Sequence, residues 1–333
     1  MLIVTVGLAA SKIQQVIRDG TTTKSNAYPR WVFLFRPYIR SELPGCGWLT
    51  KTVGIQVPID DRRWDLAPTK IVRGKLHGYQ MELDLRDWSE RLTYFLGRYY
   101  ELGVQRVLTA LLRPGDRFVD IGTNIGMISL LGARLVSEEG RVDSFEPNPE
   151  ALQVLKKNID LNSIEHIVVH PVGLADKNGR MTLRLSSRHS GTATLGPVPD
   201  SETVKSFEVE VRVADDILLA ESARIRLIKI DVEGFELNVI RGLKKTLERD
   251  RPFLVTEFVA EQFEDSEGSF GELLDLLEPI GFRPYGIATK RSFLRYALCV
   301  VEIARGHVPE DFSELLWARP DELASAGITA ATD

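Results

Sequence analysis

Short apolar strands alternate with helical segments through the middle of the chain, and this alternation is what most limits the possible folds. The strand segments are continuous in Val, Ile and Leu, as expected when helices cover both faces of a parallel sheet. Parallel strands joined by helices predict an α/β protein with an open, doubly wound sheet. Strands are predicted at 117–122, 141–147, 166–174, 225–234 and 252–258, with helices at 125–136, 149–162, 215–222, 235–250 and 271–282.

The flanking segments complete the predicted organisation. Residues 1–74, which include the aromatic and basic run YPRWVFLFRPYIR, are predicted to be an N-terminal extension that covers the substrate or mediates dimerisation. No amphipathic basic helix is evident there, so peripheral membrane contact is the weaker interpretation. Residues 75–306 are the predicted catalytic domain and 307–333 a polar tail with room for one helix.

Several segments of the catalytic domain have local patterns of their own. KLHGYQMELDL (75–85) alternates, with Met81, Leu83 and Leu85 on one face, which is typical of a hairpin. Helical spacing predicts one helix over 91–112. The remaining predictions are an antiparallel insertion at 181–186 and 207–213, and two closing strands at 282–288 and 297–304.

Composition excludes some functional classes. The chain has 333 residues and a formal net charge of -5, which is unlike the strongly basic footprint of a nucleic-acid-binding domain. Its two cysteines, Cys46 and Cys299, form no CxxC motif, so a zinc cluster is not expected. So few cysteines predict a reducing, cytoplasmic location. The apolar start, MLIVTVGLAA, lacks the positive region of a secretory signal and is too short to span a bilayer, so residues 1–10 are predicted to be a strand or a short buried segment.

The first strand ends in FVDIGTNIG (118–126). In open parallel sheets, ligands bind beyond the carboxyl ends of the strands. Gly122 permits a tight turn, and Gly126 permits the helix to begin close to the strand or to a ligand. The helix N-terminus suits a carboxylate or phosphate. Two glycines also occur in ordinary strand–helix turns, so this motif alone does not decide the function.

The second strand ends in SFEPNP (144–149), which places Glu146 at the neighbouring strand tip. A carboxylate there can accept hydrogen bonds from both ribose hydroxyls of a nucleoside. The third glycine of a dinucleotide fingerprint is absent, and Asp120 would repel a pyrophosphate. S-adenosylmethionine (SAM) fits better, because Asp120 can meet its ammonium directly or through water, and the helix start at Asn124–Gly126 can meet its carboxylate. An NAD-dependent oxidoreductase is therefore disfavoured.

The third strand end, KIDVEG, carries Asp231 and Glu233, and the next strand tip carries Glu257. These carboxylates are candidate general bases for an acceptor hydroxyl, and together they could hold Mg²⁺. Glu233 could instead only stabilise a helix dipole. His77 and His189 are further candidate bases, although a lone histidine is more often structural. His166, His170 and His307 are weaker candidates.

Taken together, FVDIGTNIG, SFEPNPEALQVLKKNIDLN, HPVGLADKNG and RLIKIDVEGFELNVIRG resemble the FkbM family of SAM-dependent methyltransferases over residues 75–304. The resemblance implies a class I methyltransferase fold, with a seven-stranded sheet that includes one antiparallel strand. The sequence departs from the family at Thr123, where alanine is common, and after Glu257, where histidine and proline often follow instead of Phe258 and Val259.

The strand ends also predict the site residues. Adenine is expected beyond the SFEP strand, near Val172–Leu174, with Asp176 a candidate partner of its amine, although DKNG (176–179) could be only a turn. The predicted catalytic residues are Asp231, Glu233, Glu257 and His189. The predicted cofactor-binding residues are Asp120, Gly122, Thr123, Asn124, Gly126, Glu146, Pro147, Asn148, Gly173 and Asp231.

The predicted function is O-methylation of a hydroxyl on a sugar, glycan, glycolipid or polyketide-type metabolite. The alternatives are a non-catalytic SAM-binding scaffold and, less favoured, the oxidoreductase; a nucleic-acid methyltransferase is disfavoured by charge. The expected partners are therefore a small molecule or glycan and not nucleic acid. Peripheral membrane contact and homo-oligomerisation are left open.

Overall fold

The computed structural model describes residues 28–56, 62–185, 193–196, 205–258, 270–292, 295–305, 309 and 311–332. The predicted strand or buried segment at 1–10 lies outside this part of the chain. The helices are α1 (Arg36–Arg40), α2 (Cys46–Thr52), α3 (Trp88–Leu96), α4 (Leu102–Leu111), α5 (Met127–Val136), α6 (Pro149–Asp160), α7 (Ala214–Leu218), α8 (Glu236–Gly242), α9 (Lys244–Asp250), α10 (Phe270–Leu277) and α11 (Pro320–Ser325). The 3₁₀ turns are Arg30–Phe35, Arg62–Trp64 and Glu278–Ile280.

Most strands belong to one large sheet, and four belong to a smaller one beside it. The strands are β1 (Thr69–Arg73), β2 (Gln80–Asp84), β3 (Arg117–Ile121), β4 (Arg141–Phe145), β5 (Ile167–His170), β6 (Gly173–Ala175), β7 (Gly179–Leu185), β8 (Ala193–Thr194), β9 (Lys205–Val213), β10 (Ile225–Ile230), β11 (Phe253–Glu257), β12 (Arg283–Ser292), β13 (Arg295–Glu302), β14 (Glu314–Ala318) and β15 (Ala330–Thr332).

The large sheet has the order β15-β13-β12-β14-β11-β10-β3-β4-β5 in the described residues. The strands from β5 through β11 in this order are parallel. β14 is antiparallel to both of its neighbours, β11 and β12. The seven neighbouring strands β12-β14-β11-β10-β3-β4-β5 thus form the predicted class I methyltransferase sheet, with β14 as its antiparallel strand. β13 and β15 extend that sheet to nine strands.

The predicted polar tail is wrong, because part of it is an inner strand. β14 lies between β11 and β12, and Leu315, Leu316 and Trp317 are fully buried there. The indole Nε1 of Trp317 donates to Thr256 Oγ1 at 3.0 Å. A continuous apolar run such as ELLWA is typical of a strand covered on both faces. A boundary at 306/307 would therefore cut through the sheet.

The boundary predicted at residue 74 also fails to separate two units. β1 and β2 pair antiparallel around it, so the predicted hairpin is present but begins before residue 75. Met81, Leu83 and Leu85 are fully buried, as their alternation predicts. Val32 and Trp64 of the extension belong to the same apolar core as these residues.

The single helix predicted over 91–112 is two helices. α3 ends at Gly97, which has a φ of 71° and so takes the left-handed conformation that glycine adopts at little cost. α4 begins after Glu101. The break turns the intervening residues, Tyr99, Tyr100 and Glu101, towards the cavity described below.

The predicted insertion forms the smaller sheet, in the order β6-β9-β7-β8. β7 and β9 pair antiparallel, as predicted. The strand predicted at 166–174 divides between β5 in the large sheet and β6 in this one, and the helix predicted at 235–250 divides into α8 and α9. Among the described residues, no helix has the length and apolar composition needed to cross a membrane.

Candidate cofactor and acceptor site

A cavity lies at the carboxyl ends of the parallel strands, where this fold places its ligands. Its two sides are built differently, and sheet order separates them. The glycine side comes from the tips of β3 and β4 and from β6, and comprises Gly122, Thr123, Asn124, Glu146, Pro147, Val172, Gly173 and Leu174. The acidic side comes from β10, β11 and the α3–α4 segment, and comprises Trp88, Tyr99, Tyr100, Glu101, Lys229, Asp231, Glu233 and Glu257.

Gly122 joins the two sides through the backbone. Its φ is +76°, and a Cβ added there would lie 1.7 Å from the carbonyl oxygen of Asp231. The amide of Asp231 in turn donates to the carbonyl of Ile121 at 3.1 Å. The turn after β3 therefore packs directly on the tip of β10, and a side chain at position 122 would force the two apart.

Glu146 is the predicted ribose ligand, and its geometry fits that role. It is 6% exposed, and its two oxygens accept from the amides of Asn124 (2.7 Å) and Asn148 (2.8 Å). Each oxygen keeps a second acceptor site that a diol can use. Burial raises the pKa of Glu146 to about 7, although the two amide hydrogen bonds oppose the rise.

The neighbouring Asn124 also suits a bound ligand. It has a φ of 53°, a left-handed conformation that asparagine tolerates better than most residues. Its Oδ1 is buried without a hydrogen-bond partner among the described residues. An acceptor left unpaired at a cavity wall is a place for a donor from a ligand, because a buried polar atom otherwise remains uncompensated.

Asp120 does not line the cavity, so the structure does not provide its predicted direct contact with a cofactor ammonium. The carboxylate is fully buried; one oxygen accepts from Ser129 Oγ at 2.6 Å and the other lies 3.7 Å from Lys229 Nζ. Burial raises the pKa of Asp120, and the charge of Lys229 opposes that shift. Asp120 acts beneath the site, on Lys229.

Two other predicted cofactor residues support the site from outside the cavity. Gly126 has a φ of +95° at the start of α5, and a Cβ there would meet Leu155 Cδ1 at 2.7 Å, so it serves helix packing. Asn148 caps α6 by accepting from Glu150 N at 3.0 Å, while its own amide holds Glu146. Thr123 does line the cavity, and its hydroxyl donates to the carbonyl of Asp120 at 2.9 Å.

Lys229 is a site residue that the sequence analysis missed. Its side chain is only 5% exposed, and Nζ lies 2.8 Å from Asp231 Oδ2. Burial lowers the pKa of the ammonium, but the charges of Asp231 and Asp120 outweigh burial and raise the pKa above its usual value. The sequence did contain a signal for Lys229, because it is the single charged residue inside the apolar run LIKI. A lysine buried in a strand requires acidic partners, and the acids at the strand tips could have been recognised as those partners.

Three predicted catalytic carboxylates come together on the acidic side. Asp231, Glu233 and Glu257 each offer an oxygen within 4.8 Å of the others. Burial, followed by the charge of Asp231, raises the pKa of Glu257 well above its usual value. Its Oε2 is buried without a hydrogen-bond partner among the described residues. Such a group can accept a proton from a ligand or coordinate a hard cation.

The α3–α4 break contributes a further carboxyl and an aromatic wall, neither of which was predicted. Burial and then the charge of Asp231 raise the pKa of Glu101 to about 8. The ring centroid of Tyr100 lies 5.1 Å from that of Trp88 and 4.6 Å from that of Tyr99. The sequence signal was Gly97 within a helical pattern, a residue that often ends a helix.

The remaining predicted residues do not reach the cavity or cannot be placed. His77 is buried in the β1–β2 turn, where its Nδ1 accepts from Tyr79 N at 3.1 Å, so the catalytic interpretation is wrong for it. Asp176 is exposed and outside the cavity, which contradicts its predicted contact with adenine. His189 lies outside the described residues, as does His307. His166 and His170 bond Ala133 O and Asp143.

The sheet order and the strand-tip cavity define a class I SAM-dependent methyltransferase. Comparison with known proteins agrees: the model of the methyltransferase FkbM domain matches residues 120–284. The chain belongs to the FkbM family of methyltransferases. The family also removes the oxidoreductase alternative, and it implies that SAM is the cofactor.

The chain is similar to two relatives of known sequence and to one solved structure. The 31-O-demethyl-FK506 methyltransferase FkbM of Streptomyces tacrolimicus is 31% identical over 204 residues, covering 51% of this chain and 74% of the relative. The hexuronic acid methyltransferase AglP of Haloferax volcanii is 27% identical over 148 residues, covering 44% and 58%. A crystal structure of methyltransferase FkbM from Methylobacillus flagellatus is 21% identical with a TM-score of 0.35; the match covers 69% of this chain and about half, 52%, of that one.

Proposed function

We propose that this protein is a SAM-dependent O-methyltransferase that methylates a hydroxyl of a sugar, glycan, glycolipid or polyketide-type metabolite. The observation that carries the proposal is the acidic side of the cavity, where carboxylates of raised pKa stand beside aromatic rings. An alcohol is a weak nucleophile, so its attack on a methyl group requires a base to take the proton. The names of two relatives, a 31-O and a hexuronic acid methyltransferase, support an oxygen acceptor and a sugar.

On the glycine side, the chain's own residues would hold the cofactor. Glu146 would accept from the ribose hydroxyls, and Gly122 keeps the backbone clear of a side chain. Asn124 offers an unpaired acceptor to the amino-acid end. When bound, SAM supplies an electrophilic methyl group on a sulfonium; the protein supplies position and electrostatics.

On the acidic side, the residues would orient the acceptor and take its proton. Asp231, Glu233 and Glu257 remain our candidate bases, and we add Glu101. A general base works best when its pKa lies near the working pH, which favours Glu101 with its pKa of about 8. Lys229 would hold the Asp231 carboxylate in position through their ion pair. Tyr99, Tyr100 and Trp88 would pack on the apolar faces of a sugar or macrocycle.

The same carboxylates could instead hold Mg²⁺, which prefers oxygen ligands and retains several waters. The three mutually close oxygens and the unpaired Oε2 of Glu257 fit such an ion. The ion pair between Lys229 and Asp231 competes with that fit, because it already satisfies one of the three. Turnover measured with EDTA and then with added Mg²⁺ separates the two roles. If the carboxylates act directly as bases, EDTA should leave turnover unchanged; if they hold Mg²⁺, EDTA should abolish turnover and added Mg²⁺ should restore it.

The proposal is tested in two stages. Calorimetric titration should show binding of SAM and of its demethylated product, and weaker binding to the Glu146→Gln variant. Labelled SAM should then transfer its methyl group to an oxygen of one member of a panel of sugars, glycolipids and polyketides. Transfer only to nitrogen or carbon acceptors would contradict O-methylation, and no binding of SAM would contradict the site itself.

We propose a cytoplasmic location, which the unpaired Cys46 and Cys299 support, and we do not propose nucleic acid as acceptor because of the chain's negative net charge. The described residues of the N-terminal extension do not line the cavity, whose first lining residue along the chain is Trp88. If these residues help to cover the substrate, they do so indirectly, through the elements that they pack against. Homo-oligomerisation stays a prediction.

A further inference from the structure

An apolar stripe is exposed on the first helical segment of the structure. Trp31, Leu34 and Tyr38 are 43%, 82% and 39% exposed, and they follow one another at spacings of three and four residues. Residues at these spacings lie on one face of consecutive helical turns. Trp48, on the adjacent helix α2, is 64% exposed.

The opposite face of the same segment is firmly packed. Val32 and Ile39 are fully buried. The ring of Phe33 lies 5.2 Å from that of Phe95 and 5.7 Å from that of Tyr94, both on α3. The inner face of this segment is therefore fixed by packing against the core. The exposed apolar side chains belong to its outer face and cannot turn inward, because the inner positions are already filled. An exposed group of this kind, as distinct from single scattered residues, marks an interaction surface.

The exposed charged residues of the segment 28–56, which carries this stripe, all have one sign. Residues 28–56 contain four basic residues and a single acid, Glu42, in a chain whose net charge is -5. Glu42 is buried and forms ion pairs with Lys75 and Arg98, so it does not offset the positive charge at the surface. Arg30 and Lys51 are exposed beside the stripe, Arg30 next to Trp31 and Lys51 one turn after Trp48.

We propose that this surface docks on a membrane that carries anionic head groups. The aromatic face is defined here as Trp31, Leu34, Tyr38 and Trp48 with Arg30 and Lys51. Tryptophan and tyrosine favour the boundary between head groups and acyl chains. Basic residues near an anionic leaflet add electrostatic attraction to it. A second copy fits less well, because an isologous contact would bring the same positive charges together.

The aromatic face is one helix layer from the active-site cavity. Its segment packs through Phe33 on α3, and α3 contributes Trp88, Ser89 and Thr93 to the cavity wall. Docking would hold the cavity beside the lipid surface, where a glycolipid acceptor is presented. That last step rests on the proposed function, whereas docking itself does not.

Co-sedimentation with vesicles tests the proposal on the full chain. We expect binding to vesicles of phosphatidylcholine mixed with phosphatidylglycerol to be at least about tenfold tighter than to phosphatidylcholine alone, and to weaken with added salt. Trp31→Ala with Trp48→Ala should lower binding to the anionic vesicles by about tenfold or more, through lost burial of apolar area. Arg30→Gln with Lys51→Gln should remove the preference for anionic lipid.

A matched control removes two exposed basic residues elsewhere, Arg180→Gln with Lys244→Gln, and should leave vesicle binding unchanged. SAM titration and the unfolding midpoint of each variant verify the fold and keep failure of docking distinct from failure of the proposed function. Equal binding to both kinds of vesicle overturns the proposal. So does an equal loss in the control, or a dimer in solution that Trp31→Ala dissolves, since a second copy would then cover this face.

Discussion

The two sides of the cavity are built by opposite means. On the glycine side, backbone groups and left-handed residues fix the geometry, and the one carboxylate, Glu146, is held by two amides. On the acidic side, ionisable side chains from separate elements face one another, and burial with mutual repulsion raises the pKa values of Glu101 and Glu257. The first arrangement suits recognition of a constant ligand, whereas the second suits proton transfer.

Glu314 extends this comparison beyond the cavity wall. It lies opposite Glu257 in the antiparallel register of β11 and β14. Burial and the charge of Asp231 raise its pKa to about 7. Protonation of Glu314, which its raised pKa favours, would avoid two like charges opposite each other on neighbouring strands, an arrangement that is destabilising. Glu101, Glu257 and Glu314, whose pKa values are all raised, thus lie on or next to the side where we place the chemistry.

The largest expected effect is on turnover, from Asp231→Asn. We expect methyl transfer to fall by about 10²–10⁴-fold, the usual contribution of a general base or of the group that orients it. SAM affinity should change little, because the glycine side is untouched. Labelled-methyl assays and calorimetry on one preparation measure both, with Asp176→Asn, exposed and outside the cavity, as the control. Normal turnover would remove Asp231 from the mechanism.

The next effect is on stability, from Gly122→Ala. The new Cβ would meet the Asp231 carbonyl at 1.7 Å from a φ of +76°, so the backbone of both strand tips must move. We expect the free energy of unfolding to drop by about 3 kcal/mol or more in urea titration, as strain at a special φ combined with overpacking does.

Gly179→Ala is the matched control for that substitution, because nothing lies within 4 Å of the added Cβ and its φ is ordinary. We expect its unfolding curve to stay within about 1 kcal/mol of the unmodified protein. If the two variants were equally stable, the direct contact between the sides of the cavity would be wrong.

A smaller effect is expected on cofactor affinity, from Glu146→Gln. Loss of charge-assisted hydrogen bonds to the ribose should weaken SAM binding by about 1–3 kcal/mol. Calorimetry on the variant, with the exposed Glu150→Gln as control, measures this. An unchanged Kd would refute the ribose assignment.

The pH dependence of SAM binding tests the same residue independently. The diol donates to the carboxylate, so binding requires Glu146 ionised, whereas the free protein protonates it below a pKa of about 7. Kd should therefore be flat above that pH and rise about tenfold for each unit below it. The Glu146→Gln variant should lose this dependence, and a dependence that survives the substitution would assign the proton to another group.

The smallest effect is expected from Thr123→Ala. Its hydroxyl donates to the carbonyl of Asp120 at 2.9 Å, a single neutral hydrogen bond. We expect a loss of about 0.5–1.5 kcal/mol in unfolding free energy and little change in SAM affinity. A large loss of affinity would mean that the Thr123 hydroxyl contacts the cofactor directly.

The sequence predicted the glycine side well because its parts are neighbours along the chain. Strand, turn and helix start follow one another within FVDIGTNIG, and Glu146 ends the next strand. Asp120 shows the limit of this reasoning. The sequence places it at the end of the strand, two residues before Gly122, but only packing decided that its carboxylate faces Lys229 and not the cavity.

The sequence by itself determined the parallel sheet, its strand tips and the acids that stand on them, because alternating periodicity and turn glycines are local properties of the chain. Only the tertiary structure decided that Trp317 lies in an inner strand, and that Glu101 and Lys229 join the strand-tip acids on one side of a cavity. These contacts join residues tens to hundreds of positions apart. Their burial, and hence their pKa values, exist only once the strands and helices have packed together.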